Sequence, residues 1–141
     1  MAGLFRAYAA SLPVDLGYQD FAAELAALPG KYAPPQGALL LARTPAGEAL
    51  GCVALRPLET AGVCEMKRLF LRPAARGLGV GRGLAEAIVA QARALGYREI
   101  RLDTLPSMTT AVALYEALGF VRTGAYYAPT PPGTIFMALE L

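Results

Sequence analysis

Leu71-Arg72-Pro73-Ala74-Ala75-Arg76-Gly77-Leu78-Gly79-Val80-Gly81-Arg82-Gly83-Leu84-Ala85 is the stretch on which the reading of this chain turns. An apolar strand runs into it and an amphipathic helix leaves it, so the glycines fall where a strand hands over to a helix. Gly77, Gly79 and Gly81 carry no β-carbon, and the backbone there takes φ values closed to other residues and aims several N–H groups at one point. The positive end of the helix dipole lies alongside. Such a turn binds an anion, and a pyrophosphate suits it. Two common phosphate loops are excluded by spacing. A dinucleotide loop, Gly-x-Gly-x-x-Gly, finds Arg82, Leu84 or Glu86 in its third glycine slot when counted from Gly77, Gly79 or Gly81. A P-loop fails because no glycine here is followed by Lys and then a hydroxyl residue. The bland alternative is a glycine-rich connection without a ligand.

Composition narrows the function classes. The 141 residues suffice for one domain, 1–141, with a real core. Apolar residues at 55% and charged residues at 17% describe a folded globular chain. A net charge of +2 with scattered Lys and Arg gives nucleic acid no electrostatic purchase. No apolar run is long enough for a membrane span and no signal peptide is visible, so the expected location is the cytoplasm. Histidine is absent, which removes imidazole bases, Ser-His-Asp and Cys-His nucleophiles and the usual zinc ligand sets; no metal is expected. Cys52 and Cys64 sit in apolar strand-like runs and read as buried reduced thiols, ahead of a cross-strand disulfide or a nucleophilic Cys64.

Hydrophobic periodicity orders the elements. A short strand over residues 3–9 and a helix from Gly17 to Leu28 come first, the helix stopped by Pro29-Gly30. Ala38–Arg43 and Glu48–Leu55 form a hairpin about the turn Thr44–Gly47, and Cys64–Leu71 extends the meander. The glycine turn leads into a helix from Val80 to Leu95, a strand Glu99–Thr104, and a helix capped by Ser107 and ended at Gly119. Phe120 opens the next strand, and Thr134–Leu141 is the last. Strand, helix, strand around the turn is a right-handed crossover between parallel strands, so the sheet is mixed.

Two further places carry chemistry. The strand entering the turn should be central and apolar, yet it holds Glu65, Lys67 and Arg68, charges that are costly to bury unless they face a cleft or one another. A salt-bridged ladder is the plain reading of Lys67 and Arg68, and a functional groove the sharper one. Tyr115 lies at helical spacing with Leu118, which fits a core aromatic as well as a catalytic phenol.

The sequence Arg76-x-x-Gly79-x-Gly81 after a strand resembles the acyl-CoA pyrophosphate loop of the GNAT superfamily of N-acetyltransferases. Leu114-Tyr115-Glu116-Ala117-Leu118-Gly119-Phe120 is similar to the Leu-Tyr-x-x-x-Gly-Phe helix end of the same enzymes, at the expected distance downstream. By motif the resemblance covers about residues 50–125, and by order of elements the whole chain. It implies an α/β (α+β) domain whose mostly antiparallel sheet has a central parallel pair splayed at the coenzyme site and helices on both faces. It implies acetyl-CoA as co-substrate, with backbone groups of Leu69, Phe70 and Leu71 along the pantetheine arm and thioester. The pyrophosphate then falls to Arg76, Gly77, Leu78, Gly79, Val80, Gly81 and Arg82, and Tyr115 protonates the departing thiolate. Many members place Asn seven residues before the Tyr, where this chain has Met108; Ser107 or Thr109 stands ready to replace that contact.

The chemistry implied is direct transfer of an acetyl group to a primary amine of a small molecule or peptide. Freeing an amine of pKa ~10.4 at neutral pH costs on the order of 4 kcal/mol, and Glu65, directly or through one water, is the expected base. Arg68, Tyr126 and Tyr127 are the expected acceptor contacts. Transfer of a succinyl or malonyl group, favoured by Lys67 or Arg68, and coenzyme sensing without turnover are the alternatives. An apolar edge near the last strands leaves room for a homodimer.

Overall fold

In the computed structural model, which describes residue 26 and residues 28–128 and 130–141, the chain after the turn Gly30–Tyr32 begins with the expected hairpin. β1 (Ala38–Arg43) and β2 (Ala49–Pro57) pair antiparallel. Their turn closes through Gly47 N–H to the Thr44 carbonyl at 2.8 Å and Glu48 N–H to Thr44 Oγ1 at 3.0 Å. β3 (Val63–Leu71) continues the meander. α1 (Val80–Ala94), β4 (Glu99–Thr104), α2 (Thr109–Ala117), β5 (Val121–Thr123) and β6 (Ile135–Glu140) follow. Among the described residues six strands run β1-β2-β3-β4-β6-β5 across one sheet, with β3 and β4 the parallel pair and every other pair antiparallel. The predicted strand over 3–9 and nearly all of the predicted helix Gly17–Leu28 lie outside the described residues.

α1 packs on the sheet through Leu84, Ala85, Ile88, Val89 and Ala92, which meet Val53, Leu55, Met66, Ile100 and Leu102 in one apolar cluster. Tyr115 of α2 and Phe120 belong to the same cluster. A second cluster, Tyr32, Cys52, Ala54 and Phe70, covers the other face of β2 and β3. Cys52 and Cys64 thus belong to clusters on opposite faces, and both are free thiols. Burial pushes each thiol up to about 12, so neither is a nucleophile at neutral pH.

Two helix and strand starts differ from expectation. Ser107 does not cap α2: Met108 occupies the N-cap position, with no side-chain cap bond. Phe120 stays in the core, its N–H bonded to the Tyr115 carbonyl at 3.0 Å, and β5 opens one residue later. A large apolar ring following the helix stop is worth more buried than placed on a three-residue exposed edge strand.

β3 changes face partway along. Its register to β2 runs Lys67↔Ala54, then Phe70↔Cys52, so Arg68 and Leu69 oppose Val53 alone. This is a β-bulge, and Arg68 takes φ 60° to make it. Before the bulge Cys64 and Met66 face the helices; after it Leu69 and Leu71 do, while Phe70 turns to the opposite cluster. The Cys52 thiol donates to the Arg68 carbonyl at 3.4 Å. On its other side β3 pairs with β4 only over Val63↔Glu99, Cys64↔Ile100 and Glu65↔Arg101. Beyond Glu65 the two parallel strands part.

Candidate active site

The gap between the parted strands opens on a cleft of about 550 Å³. One wall is Leu69, Phe70 and Leu71 at the end of β3; the floor is Arg76, Gly77, Gly79, Gly81 and Arg82. The third side is the start of α2, from Ser107 to Ala111, with Leu114 one turn in. The floor is shaped for an anion. Gly79, at φ +78°, is the N-cap of α1 and offers no side-chain oxygen, and no acidic residue follows in the first turn. The first intrahelical bond is Gly83 N–H to the Gly79 carbonyl, so the amides of Val80, Gly81 and Arg82 have no acceptor within the helix. The helix starts close against β3, where a β-carbon on Gly81 would stand 3.1 Å from Leu71 Cδ1. Arg76 leans back on the Leu71 carbonyl at 3.5 Å and Arg82 pairs with Glu86 at 2.7 Å. Unsatisfied amides, a dipole end and two guanidiniums fit a pyrophosphate.

The face of β3 turned away from the helices carries a polar cluster. Glu65 is fully buried, accepting from Arg56 Nε at 2.7 Å and from the Tyr126 hydroxyl at 2.5 Å, with Lys67 Nζ 3.7 Å away. Burial alone would raise the Glu65 pKa; the charges of Lys67 and Arg56, with the hydrogen bonds from Tyr126 and Arg56, outweigh it and hold the carboxyl below its usual range. Lys67 lies between Glu65 and Asp103, 4.0 Å from the latter, and burial, only partly offset by those carboxylates, lowers its pKa. Tyr127 donates to Asp103 at 2.8 Å. The Tyr126 and Tyr127 rings pack on each other and on Phe136 with centroids 5.2–5.6 Å apart. The Tyr126 hydroxyl is pushed far up, by burial first and then by the Glu65 charge, so it remains a donor.

The sequence profile of the Acetyltransferase (GNAT) family matches residues 4–120. The chain belongs to this family. It is 43% identical to an uncharacterized N-acetyltransferase of Schizosaccharomyces pombe, over 98% of this chain and 85% of that one. In fold it is similar to a GNAT-family acetyltransferase from Staphylococcus aureus, with a TM-score of 0.80 over 99% of this chain and 92% of that one at 17% identity. It is also similar to a GNAT-family acetyltransferase from Elizabethkingia anophelis solved with acetyl-CoA bound, with a TM-score of 0.63 at 25% identity over 75% of this chain and 77% of that one. The protein is accordingly an acyltransferase of the acetyl-transferring kind.

Within this GNAT domain the structure gathers eight of the ten expected coenzyme residues around one cleft: Leu69, Phe70, Leu71, Arg76, Gly77, Gly79, Gly81 and Arg82. Leu78, 71% exposed, does not line the cleft, and neither does Val80, the first residue of α1. Ser107, Met108 and Thr109 stand in the wall as the motif spacing implied, joined by Thr110 and Ala111, which no local pattern marked. Tyr115 does not line the cleft; its ring is buried against Phe120 at 5.8 Å, one residue beyond Leu114, which does. Arg68 is buried at the bulge and lines neither this cleft nor the polar one beside Tyr126. Glu65, Tyr126 and Tyr127 come together although 61 residues separate the first pair. Arg56 and Asp103 complete the cluster and were missed; strand register, not local sequence, brings them in. Among the described residues no group of His, Cys, Asp and Glu has the makings of a metal site, and no helix is long and apolar enough to cross a membrane.

Proposed function

We propose that residues 1–141 act as one catalytic domain that transfers the acetyl group of acetyl-CoA to a primary amine of a small molecule or peptide, by direct attack without an acetylated enzyme. The observation that carries this reading is the parted β3–β4 pair ending on three unpaired helix amides. The amides of Val80, Gly81 and Arg82, with Arg76 and Arg82, hold the pyrophosphate, and the backbone of Leu69–Leu71 aligns the pantetheine arm and offers a donor to the carbonyl oxygen as charge develops there. Hydroxyls of Ser107, Thr109 and Thr110 take the place of the Asn that Met108 replaces.

Tyr115 is the proposed proton donor to the leaving thiolate, supported by the resemblance of Leu114–Phe120 to the helix end of the family; its ring packs on Phe120 behind the cleft wall, so donation requires the hydroxyl to reach past Leu114. Glu65 is the proposed proton acceptor. Because its carboxylate is fully buried, direct contact with the amine is set aside, and the route runs from the amine through water bridging along β3 to the Tyr126 hydroxyl that donates to Glu65. Tyr126 and Tyr127 border the acceptor, with Arg68 acting from beneath through the bulge. The free buried thiols fit a reducing cytoplasm.

Release of free CoA from acetyl-CoA across a panel of primary amines tests the reading. Amine-dependent thiol release, with mass spectrometry showing the acetylated amine, is expected. Tight acetyl-CoA binding with no release from any amine would reduce the domain to a coenzyme sensor.

A further inference from the structure

A second cleft, of about 370 Å³, lies on the face of the sheet away from the helices. Its walls are Arg56 and Pro57 at the end of β2, Arg101 of β4, and Tyr126 and Tyr127; Glu59 stands exposed at its rim. The sheet register sets Arg56, Glu65 and Arg101 side by side on three neighbouring strands, two guanidiniums flanking one buried carboxylate. Each guanidinium is tied through Nε alone, Arg56 to Glu65 at 2.7 Å and Arg101 to Glu99. Among the described residues their terminal nitrogens have no hydrogen-bond partner. The side chains are 26% and 25% exposed, and Arg101 lies over the Tyr126 ring at 5.6 Å, so both forks are held in place and half-desolvated.

We propose that this cleft anchors a carboxylate of the acceptor, and that the acceptor is an amino acid-like molecule whose reacting amine lies several bonds from that carboxylate. The inference rests on the acetyl-transfer reading and names its substrate class. Planar forks with spare parallel donors match a carboxylate. Glu65 and Glu99 already balance the two cations and Glu59 adds a negative charge at the rim, which favours a singly charged carboxylate over a phosphate dianion. The anchor row at Glu65 lies four residues before Leu69, but Arg68 and Leu69 share one position at the bulge, so the step along the strand is three positions, or ~10 Å at ~3.3 Å per residue. The amine and carboxylate of an α-amino acid are too close together to bridge such a span, whereas an ω-amine on a flexible chain extends toward the parted strands.

The test compares 6-aminohexanoate, its methyl ester and n-pentylamine as acceptors for the full chain with acetyl-CoA, in wild type and in Arg101→Gln and Arg101→Lys. Arg101 is chosen because its partner Glu99 is itself partly exposed, whereas loss of Arg56 strands the buried Glu65; a thermal melt checks the fold of each variant. The expected result is a preference of roughly 10-fold or more in kcat/KM for the acid over its ester in wild type, falling toward parity in Arg101→Gln and to an intermediate value in Arg101→Lys. Equal use of acid and ester by wild type, or a preference unmoved by Arg101→Gln, overturns the anchor while leaving acetyl transfer intact. If no amine releases CoA, the acetyl-transfer reading is the one that fails. The anchor is then decided by saturation-transfer NMR with 6-aminohexanoate, where a wild-type signal lost in Arg101→Gln upholds it and no signal overturns it.

Discussion

Glu65 is the residue on which the acceptor face depends. It is a buried carboxylate with two cations and a phenol directed at it, and each partner is held in place by the charge it answers. Glu65→Gln leaves Lys67 buried with a weakened counter-charge, and the expected loss is about 3–5 kcal/mol at neutral pH, measured by urea unfolding. The sign of the pH dependence follows from the lowered carboxyl. Its stabilisation is complete above the ordinary value of 4.5 and is lost as pH falls through the lower folded value. Wild type should therefore lose stability below about pH 4.5 more steeply than Glu65→Gln, and parallel acid limbs for the two proteins would show that Glu65 is not held ionised. For Tyr115, substitution by Phe keeps the packing on Phe120 and removes only the hydroxyl. A fall in kcat of about 10²-fold or more, with acetyl-CoA binding unchanged by calorimetry, is expected of a proton donor, and unchanged turnover would leave Tyr115 a core ring. At this scale the charges of β3 were legible as misfits in a central strand. Their partners were not, because Arg56, Asp103 and Tyr126 meet Glu65 and Lys67 through register and a loop return that no local pattern encodes.

The glycine turn and the bulge are the two elements that make a cleft out of a strand and a helix. In the turn, Gly79 is left-handed at φ +78° with open space where a β-carbon would go, so Gly79→Ala meets no clash and bears only the backbone penalty, about 1 kcal/mol. The same change tilts the first-turn amides, and a several-fold higher KM for acetyl-CoA with kcat nearly kept is the expected kinetic signature; an unchanged KM would separate the turn from coenzyme binding. The turn was readable from sequence because left-handed positions at a strand-to-helix junction leave few residue choices other than glycine. The bulge was not, since its inserted residue is an arginine and nothing in Lys67-Arg68-Leu69 marks φ 60°. Its consequence is large: one residue moves Leu69 and Leu71 to the helix face and Phe70 to the other. Deleting Arg68 restores strict alternation with Leu69 opposite Val53 and Leu71 opposite Gly51, so both leucines keep facing α1 and the deletion should retain a cooperative thermal transition; loss of that transition would show that the bulge itself holds the sheet. Arg68→Gly relieves the positive φ but removes a buried guanidinium, so it should still fold cooperatively with a urea midpoint below that of wild type.

Across the whole molecule, the crossover from β3 through α1 to β4 does two things at once: it packs α1 on the sheet and brings the unsatisfied end of α1 to the mouth of the gap where β3 and β4 part. From β1 onward the order of elements, the parallel pair and the mixed sheet followed from periodicity and the handedness of that crossover. The insertion of β6 between β4 and β5 did not, because strand order along the last edge is settled by the return of the Tyr126–Tyr127 loop over the sheet. A gap kept open by parted strands, with helix amides unsatisfied at its end, is a folded state waiting for a ligand to complete it, so coenzyme binding should stabilise the entire domain. At acetyl-CoA about 100-fold above its Kd the linkage is about 2.7 kcal/mol. For a chain of this size that corresponds to a rise in Tm of about 5–13 °C by calorimetry. The rise should depend on the pyrophosphate: S-acetylpantetheine at the same concentration reaches only the Leu69–Leu71 wall and should shift Tm little. Equal shifts from both compounds would mean that the glycine turn contributes nothing to holding the coenzyme.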